Sequence, residues 1–199
     1  MTTTPNRARE ARGDAPLGLA LQLVAGTYAP PGEALRADLE AGAIDEAAGR
    51  LAALTDTVAP ELAFADWRDV QAGHVDLFVA SGRGVAAPPY VGYAVDGELL
   101  GPTARALKEL YDAQGVTLDA GWRDLPDHVA AVAEAGALML EHGRRRAAHE
   151  VAARFIAPWL DRYAAAVADR DVSGFYGPMS RFLRAAIREV TREIATAEP

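Results

Sequence analysis

The chain contains no cysteine, which excludes disulfides, thiolate catalysis and cysteine-ligated metal. It has a single lysine, Lys108, and only three serines, Ser81, Ser173 and Ser180. None of the serines sits in a Gly-x-Ser-x-Gly elbow, so a hydrolase reading is poor. Gly82-Arg83-Gly84 is too short for a phosphate loop and lacks the lysine-serine/threonine ending, so no local motif supports nucleotide binding. No run approaches the roughly 18 consecutive apolar residues of a membrane span. The stretch from Leu17 to Ala25 is short and has no clean cleavage context, so no signal peptide is read. Arg144-Arg145-Arg146 lies too deep in the chain to be an export signal. Segments of β alternation, internal repeats and coiled-coil heptads are also missing. These absences leave a chain expected to stay in the cytoplasm.

What is present is ordinary for a globular protein and strongly helical. Half of the 199 residues are hydrophobic and 24% are charged, with a formal net charge of -8. That length suits one domain with a sizeable core. An acidic surface repels phosphate backbones, so nucleic acid is not an expected partner, and it favours a basic peptide. Alanine, leucine, glutamate and arginine dominate, and all favour helix. Residues 1–14 read as a disordered lead and 15–199 as one all-α helical bundle. Leu17, Leu21 and Val24 repeat at helical spacing up to Pro30-Pro31-Gly32, which stops the helix. Further helices are predicted at about 33–41, 43–55 and 60–80, the last with Pro60 in its first turn. Others follow at 102–114, from Asp124–Asp127 to about His142, at 147–167 with a kink at Pro158, and at 173–195 with a division at Gly177-Pro178.

Two segments break this pattern. Residues 81–101 carry Gly82, Gly84, Pro88, Pro89, Gly92, Gly97 and Gly101, a density of breakers that no helix is expected to survive. A loop of this length in a compact domain is often functional. Asp124-Leu125-Pro126-Asp127-His128 follows a second break and resembles a capping box, with Pro126 in the first turn of a helix.

These segments carry a resemblance. Leu77-Phe78, then Pro88-Pro89-Tyr90, then Asp96 to Gly101, then Asp124 to His128, and finally Pro158-Trp159 resemble, in order and spacing, the TorD/DmsD family of molybdoenzyme-specific chaperones. The likeness covers about residues 60–190. It departs at His74, Val91-Gly92, Ala94 and Phe155, where the family pattern has an aromatic, a glutamate-serine, a second aromatic and a histidine. The resemblance implies a TorD-like bundle that is not an enzyme and needs no cofactor or metal of its own. It implies binding of a molybdopterin-oxidoreductase precursor, of the DMSO- or trimethylamine-oxide-reductase type, through its N-terminal twin-arginine signal peptide. The client would be held back from export while its cofactor is inserted. The implied signal-peptide site comprises Leu77, Phe78, Pro88, Pro89, Tyr90, Gly101, Asp124, Asp127 and His128.

Such a leader offers two guanidinium groups and then an apolar stretch, so a binder needs carboxylates beside an apolar groove. Asp124 and Asp127 suit the guanidinium groups. Leu77, Phe78, Pro88, Pro89 and Tyr90 suit the groove, and Tyr90 can stack on a guanidinium. Asp127 and His128 are expected to form its polar floor. The plainer reading of both aspartates is helix capping. Two other functions stay open. One is a NarJ-type assembly chaperone, whose nitrate-reductase-like client lacks an export signal. The other is a metal-binding helical enzyme using His142, His149 and nearby glutamates. Against the latter, Glu141-His142 and His149-Glu150 are adjacent pairs whose members point to different faces. Long Pro/Gly-rich connections permit element swapping, so the chain is expected to be a monomer or a domain-swapped dimer.

Overall fold

A computed structural model describes residues 4–63, 66–82, 84–119 and 121–197. Helix α1 (Thr4–Tyr28) runs through the middle of the bundle, packing on α3 (Ala43–Thr55), α7 (Val129–Glu141) and α10 (Tyr176–Ala197). It takes in residues 4–14 of the expected lead; residues 1–3 lie outside the described residues. Its apolar stripe is buried as the spacing predicts, with Leu17, Leu21, Val24 and Tyr28 all in the core. Between α1 and α3, α2 (Glu33–Glu40) buries Leu35 and Leu39, and Gly42 turns the chain with a φ of 71°.

Helix α4 (Trp67–His74) begins later than the expected 60–80. Asp66 sets the start, its carboxylate accepting from the Arg68 amide at 2.9 Å. Residues 60–63 are non-helical, and the Ala63 amide donates instead to the Gly174 carbonyl at 3.3 Å. The helix continues into a π-helical turn, Val75–Val79. Residues 81–101 are not wholly irregular: a short helix, α5 (Val91–Asp96), forms between the prolines and Gly97, whose φ of 77° ends it. Gly92 is tolerated because its bare Cα lets the helix sit against Asp127; a Cβ there would lie 2.8 Å from Asp127 Oδ2. Helix α6 (Pro102–Gln114) follows as predicted, and Gly115 closes it at a φ of 61°.

The expected capping box before α7 does not form. The helix starts at Val129 with His128 as its cap, so Asp124, Pro126 and Asp127 all precede it. The anticipated break at Pro158 takes the form of a π-helical turn (Val151–Ile156) between α8 (Arg145–Glu150) and α9 (Ala157–Arg170). Proline then falls in the first turn of α9, where its missing N–H costs least. Gly177-Pro178 does not divide the last helix but lies in the first turn of α10, with Asp171 Oδ2 accepting from the Gly177 amide at 2.7 Å. Among the described residues no strand forms and no helix is long and apolar enough to cross a membrane.

Helices α1 and α7 approach closely at Gly136. A Cβ built there would lie 2.9 Å from Val151 Cγ1 and 3.2 Å from Leu21 Cδ1. Gly136→Val is therefore expected to lower stability by about 1–3 kcal/mol through overpacking. Urea denaturation measures it. Gly136→Ala should cost less, because alanine gains about 1 kcal/mol of helix propensity over glycine.

Candidate functional site

The proline-rich loop and the turn before α7 meet. The Val129 amide donates to the Pro89 carbonyl at 2.7 Å, and the Val91 amide to the Asp127 carbonyl at 2.9 Å. Together they make a single antiparallel bridge between Tyr90 and His128. The Tyr90 hydroxyl donates to Asp124 Oδ1 at 3.0 Å, and the Tyr90 and His128 rings lie edge to face with centroids 6.1 Å apart. The other end of the loop is tied down from α9. Trp159 Nε1–H donates to the Pro88 carbonyl at 2.9 Å, and Arg170 donates to the Gly84 carbonyl, Ser81 Oγ and Asp76 Oδ2 at 2.7, 3.0 and 3.1 Å. The Leu77 carbonyl accepts from the Ala86 and Ala87 amides, both at 3.0 Å. A loop rich in residues that cannot form regular structure is thus held by bonds from three other parts of the chain.

These contacts enclose a cavity of about 220 Å³ lined by Pro30, His74, Phe78, Val79, Val85, Pro88, Pro89, Tyr90, Asp124 and His128. Its walls are mostly apolar, and Asp124 brings a solvent-exposed carboxylate to it. Leu125's amide also donates to Asp124 Oδ1, at 2.7 Å, so the carboxylate is oriented from two sides. Burial and the bond to Asp124 push the Tyr90 hydroxyl up to about 12, so it stays a donor. His128 Nδ1 accepts the Ala130 amide at 3.2 Å, which leaves Nε2 to carry the proton. Burial lowers the pKa of His128, with Asp124 opposing, so the ring is neutral at neutral pH. Tyr90→Phe removes one neutral-to-charged hydrogen bond on a partly exposed residue. A stability loss of about 1 kcal/mol is expected in urea denaturation.

The remaining residues read from the sequence lie elsewhere. Leu77 is fully buried in the core, one position from Phe78, which faces both the cavity and an aromatic cluster with Tyr28, His74 and Tyr176. Gly101 caps α6, and a Cβ there would lie 2.6 Å from Asp96 Oδ2. Asp96 itself accepts from the Thr103 amide and hydroxyl at 2.7 and 2.9 Å. Asp127 is not part of this cavity's lining. Its side chain is 1% exposed, and Oδ2 accepts from the Gly92 amide at 3.2 Å. Four lining residues, Pro30, His74, Val79 and Val85, do not belong to the site implied by the sequence. His74 stands four residues before Phe78, a helical spacing that puts both on one face. For Pro30 the sequence holds only a helix stop, with no sign of where that stop packs.

Among the described residues no group of three or more His, Asp or Glu could hold a metal ion. No curated protein matches the chain. A crystal structure described as a candidate redox enzyme maturation protein from Archaeoglobus fulgidus shares the fold. Its TM-score is 0.56 at 21% identity, over 84% of this chain and 91% of that one. Residues 39–168 match the family described as nitrate reductase delta subunit. That span holds most of the bundle and both segments of the cavity between the proline-rich loop and α7, and on this match the chain belongs to the nitrate reductase delta subunit family.

Proposed function

We propose that this chain is a cytoplasmic maturation chaperone, not an enzyme, for a molybdopterin oxidoreductase, and that it binds its client's N-terminal leader at the cavity between the proline-rich loop and the α7 turn. The observation that carries the reading is the meeting of an apolar, aromatic-lined hollow with a carboxylate, Asp124, oriented by Tyr90. An arginine of the leader would pair with Asp124 and lie against the Tyr90 ring. An apolar side chain behind it would enter the hollow. At about 220 Å³ the cavity is smaller than a drug-sized ligand site of about 300–1,000 Å³, so it suits a side chain of a peptide that continues across the surface.

The family match gives equal support to a NarJ-type role, in which the client lacks an export signal and the chaperone acts on assembly directly. One experiment separates the two. A fluorescent peptide with two consecutive arginines before an apolar stretch is titrated with the protein, beside the same peptide with both arginines replaced by glutamine. The leader reading expects the glutamine peptide, and the Asp124→Asn variant with the arginine peptide, each to bind about tenfold more weakly, the worth of one charge-assisted hydrogen bond. Equal binding of both peptides favours the NarJ-type reading. Binding of neither removes the leader from the function.

A further inference from the structure

A second cavity, of about 390 Å³, shares no lining residue with the first. Leu100, Ala104, Val116, Leu118 and Pro126 make it apolar. Of its polar lining residues, Arg105, Lys108, Asp112 and Thr117 are exposed at the rim, whereas Tyr111 and Asp127 are buried, 5% and 1% exposed. The Tyr111 hydroxyl and Asp127 Oδ1 are both buried with no hydrogen-bond partner. They are near enough that Asp127's charge adds to burial in raising the pKa of the tyrosine. A buried polar group left unpaired costs about 1–3 kcal/mol, and native proteins hold few of them without a use. Here an orphan donor and an orphan acceptor share one greasy hollow. Leu100, at its mouth, is 61% exposed and held at a φ of 58°, a conformation that leucine rarely adopts.

The pairing limits what fits. A simple cation satisfies Asp127 but leaves the tyrosine proton with no acceptor. A carboxylate takes the tyrosine proton but meets Asp127 as a like charge, and the rim cations do not offset this: Lys108 is paired with Asp112 at 2.6 Å and Arg105 donates to the Leu100 carbonyl at 3.3 Å. An amide serves both, because it carries one N–H donor and one carbonyl acceptor, on opposite edges of the planar trans unit. We propose that this cavity is a second peptide subsite, which takes an aliphatic side chain together with its backbone amide, the N–H donating to Asp127 Oδ1 and the carbonyl accepting from the Tyr111 hydroxyl. The inference rests on the peptide-binding reading above: Asp124 and His128 line one cavity, Pro126 and Asp127 the other, so one leader crossing the 124–128 turn would reach both.

The test uses the full chain, labelled with nitrogen-15, and two small probes of the same shape. N-isobutylacetamide carries the amide, and isobutyl acetate replaces its N–H by oxygen. Titration with the amide is expected to give saturable shifts of the Tyr111, Val116, Leu118 and Asp127 resonances. The ester should bind about tenfold more weakly, the loss expected for one hydrogen bond to a charged group, and the amide should bind Tyr111→Phe about fivefold more weakly, the loss expected for one neutral hydrogen bond. Tyr111→Phe removes an unpaired hydroxyl and keeps the ring, so it should fold. The amide-to-ester ratio is read on the unaltered protein in any case. No saturable shift at these four residues, shifts centred on Tyr90 and His128, or equal binding of amide and ester would overturn the subsite. Leader binding without these shifts removes this cavity alone; these shifts without leader binding remove the leader reading and the subsite's role in it.

Discussion

Trp159→Ala is expected to lower the unfolding free energy by about 3–5 kcal/mol, the range for deleting a large buried aromatic. Trp159 is fully buried, and its ring meets Tyr28 edge to face at 4.7 Å and Tyr163 at 5.6 Å. Its Nε1–H also holds the Pro88 carbonyl at 2.9 Å, so it links α9 to the loop that walls the first cavity. Truncation removes both the packing and the tie. Trp159→Phe separates them, because it keeps most of the ring volume and loses only the donor. The Pro88 carbonyl is then left unpaired, for a cost of about 1–3 kcal/mol. Urea denaturation gives the energies, and hydrogen exchange over residues 84–92 gives the local effect. Both variants should raise exchange in that segment. Unchanged exchange in Trp159→Phe would mean that Arg170, the Leu77 carbonyl and the bridge to the α7 turn hold the loop without the Trp159 bond.

The second large effect concerns acid. His74 is 5% exposed, packed beside Phe78 and Tyr176, and its Nδ1 is buried without a partner. Burial, aided by the charge of His128 when it forms, pushes the pKa of His74 down to about 4. In the unfolded chain the same imidazole titrates near 6.5. Between these values the unfolded chain takes up a proton that the folded chain refuses, so acid favours unfolding. The stability due to a neutral His74 is whole above about pH 6.5 and is lost as the pH falls towards 4. Over that span the loss is about 3 kcal/mol. His74→Phe keeps an aromatic beside Phe78 and Tyr176 and has no proton to bind. The variant should therefore lose about 3 kcal/mol less than the native chain between pH 7 and 4, measured by urea denaturation at both. His128 shifts in the same direction and remains in the variant, so some acid sensitivity persists. Equal acid sensitivity in the two proteins would show that His74 reaches solvent when charged.

Much of the architecture was legible in advance, for a local reason. A helical hydrogen bond joins residues four apart, so breakers and apolar spacing mark its limits. Helices at 33–40, 43–55 and 102–114 start and stop within a residue or two of where glycine and proline put them. The misplaced boundaries share another cause, a side chain or carbonyl supplied from outside the segment. Residues 60–63 leave the expected helix to reach Gly174, and Asp66 rather than Pro60 begins α4. His128 displaces Asp124 and Asp127 as the cap of α7 because its own Nδ1 reaches the Ala130 amide. Helix α5 survives its glycines because Gly92 packs against Asp127, 35 positions away.

By itself the sequence determined the all-helical class, the position of the long interruption, the exclusions that follow from missing cysteine, and the residue types that cluster around two breaks. Those follow from chemistry local to each segment. The tertiary structure alone decided that the breaks meet as one bridge at Tyr90 and His128, and that neighbouring residues of one turn line different cavities. It also decided that Leu77 is core and Phe78 is wall, and that Tyr111 and Asp127 line one cavity with an unpaired hydroxyl and an unpaired carboxylate oxygen. The reason is that which way a side chain points at a turn depends on backbone angles set by distant partners. Those partners, Pro89 and Gly92 among them, lie tens of residues away in the chain and come close only when the bundle packs.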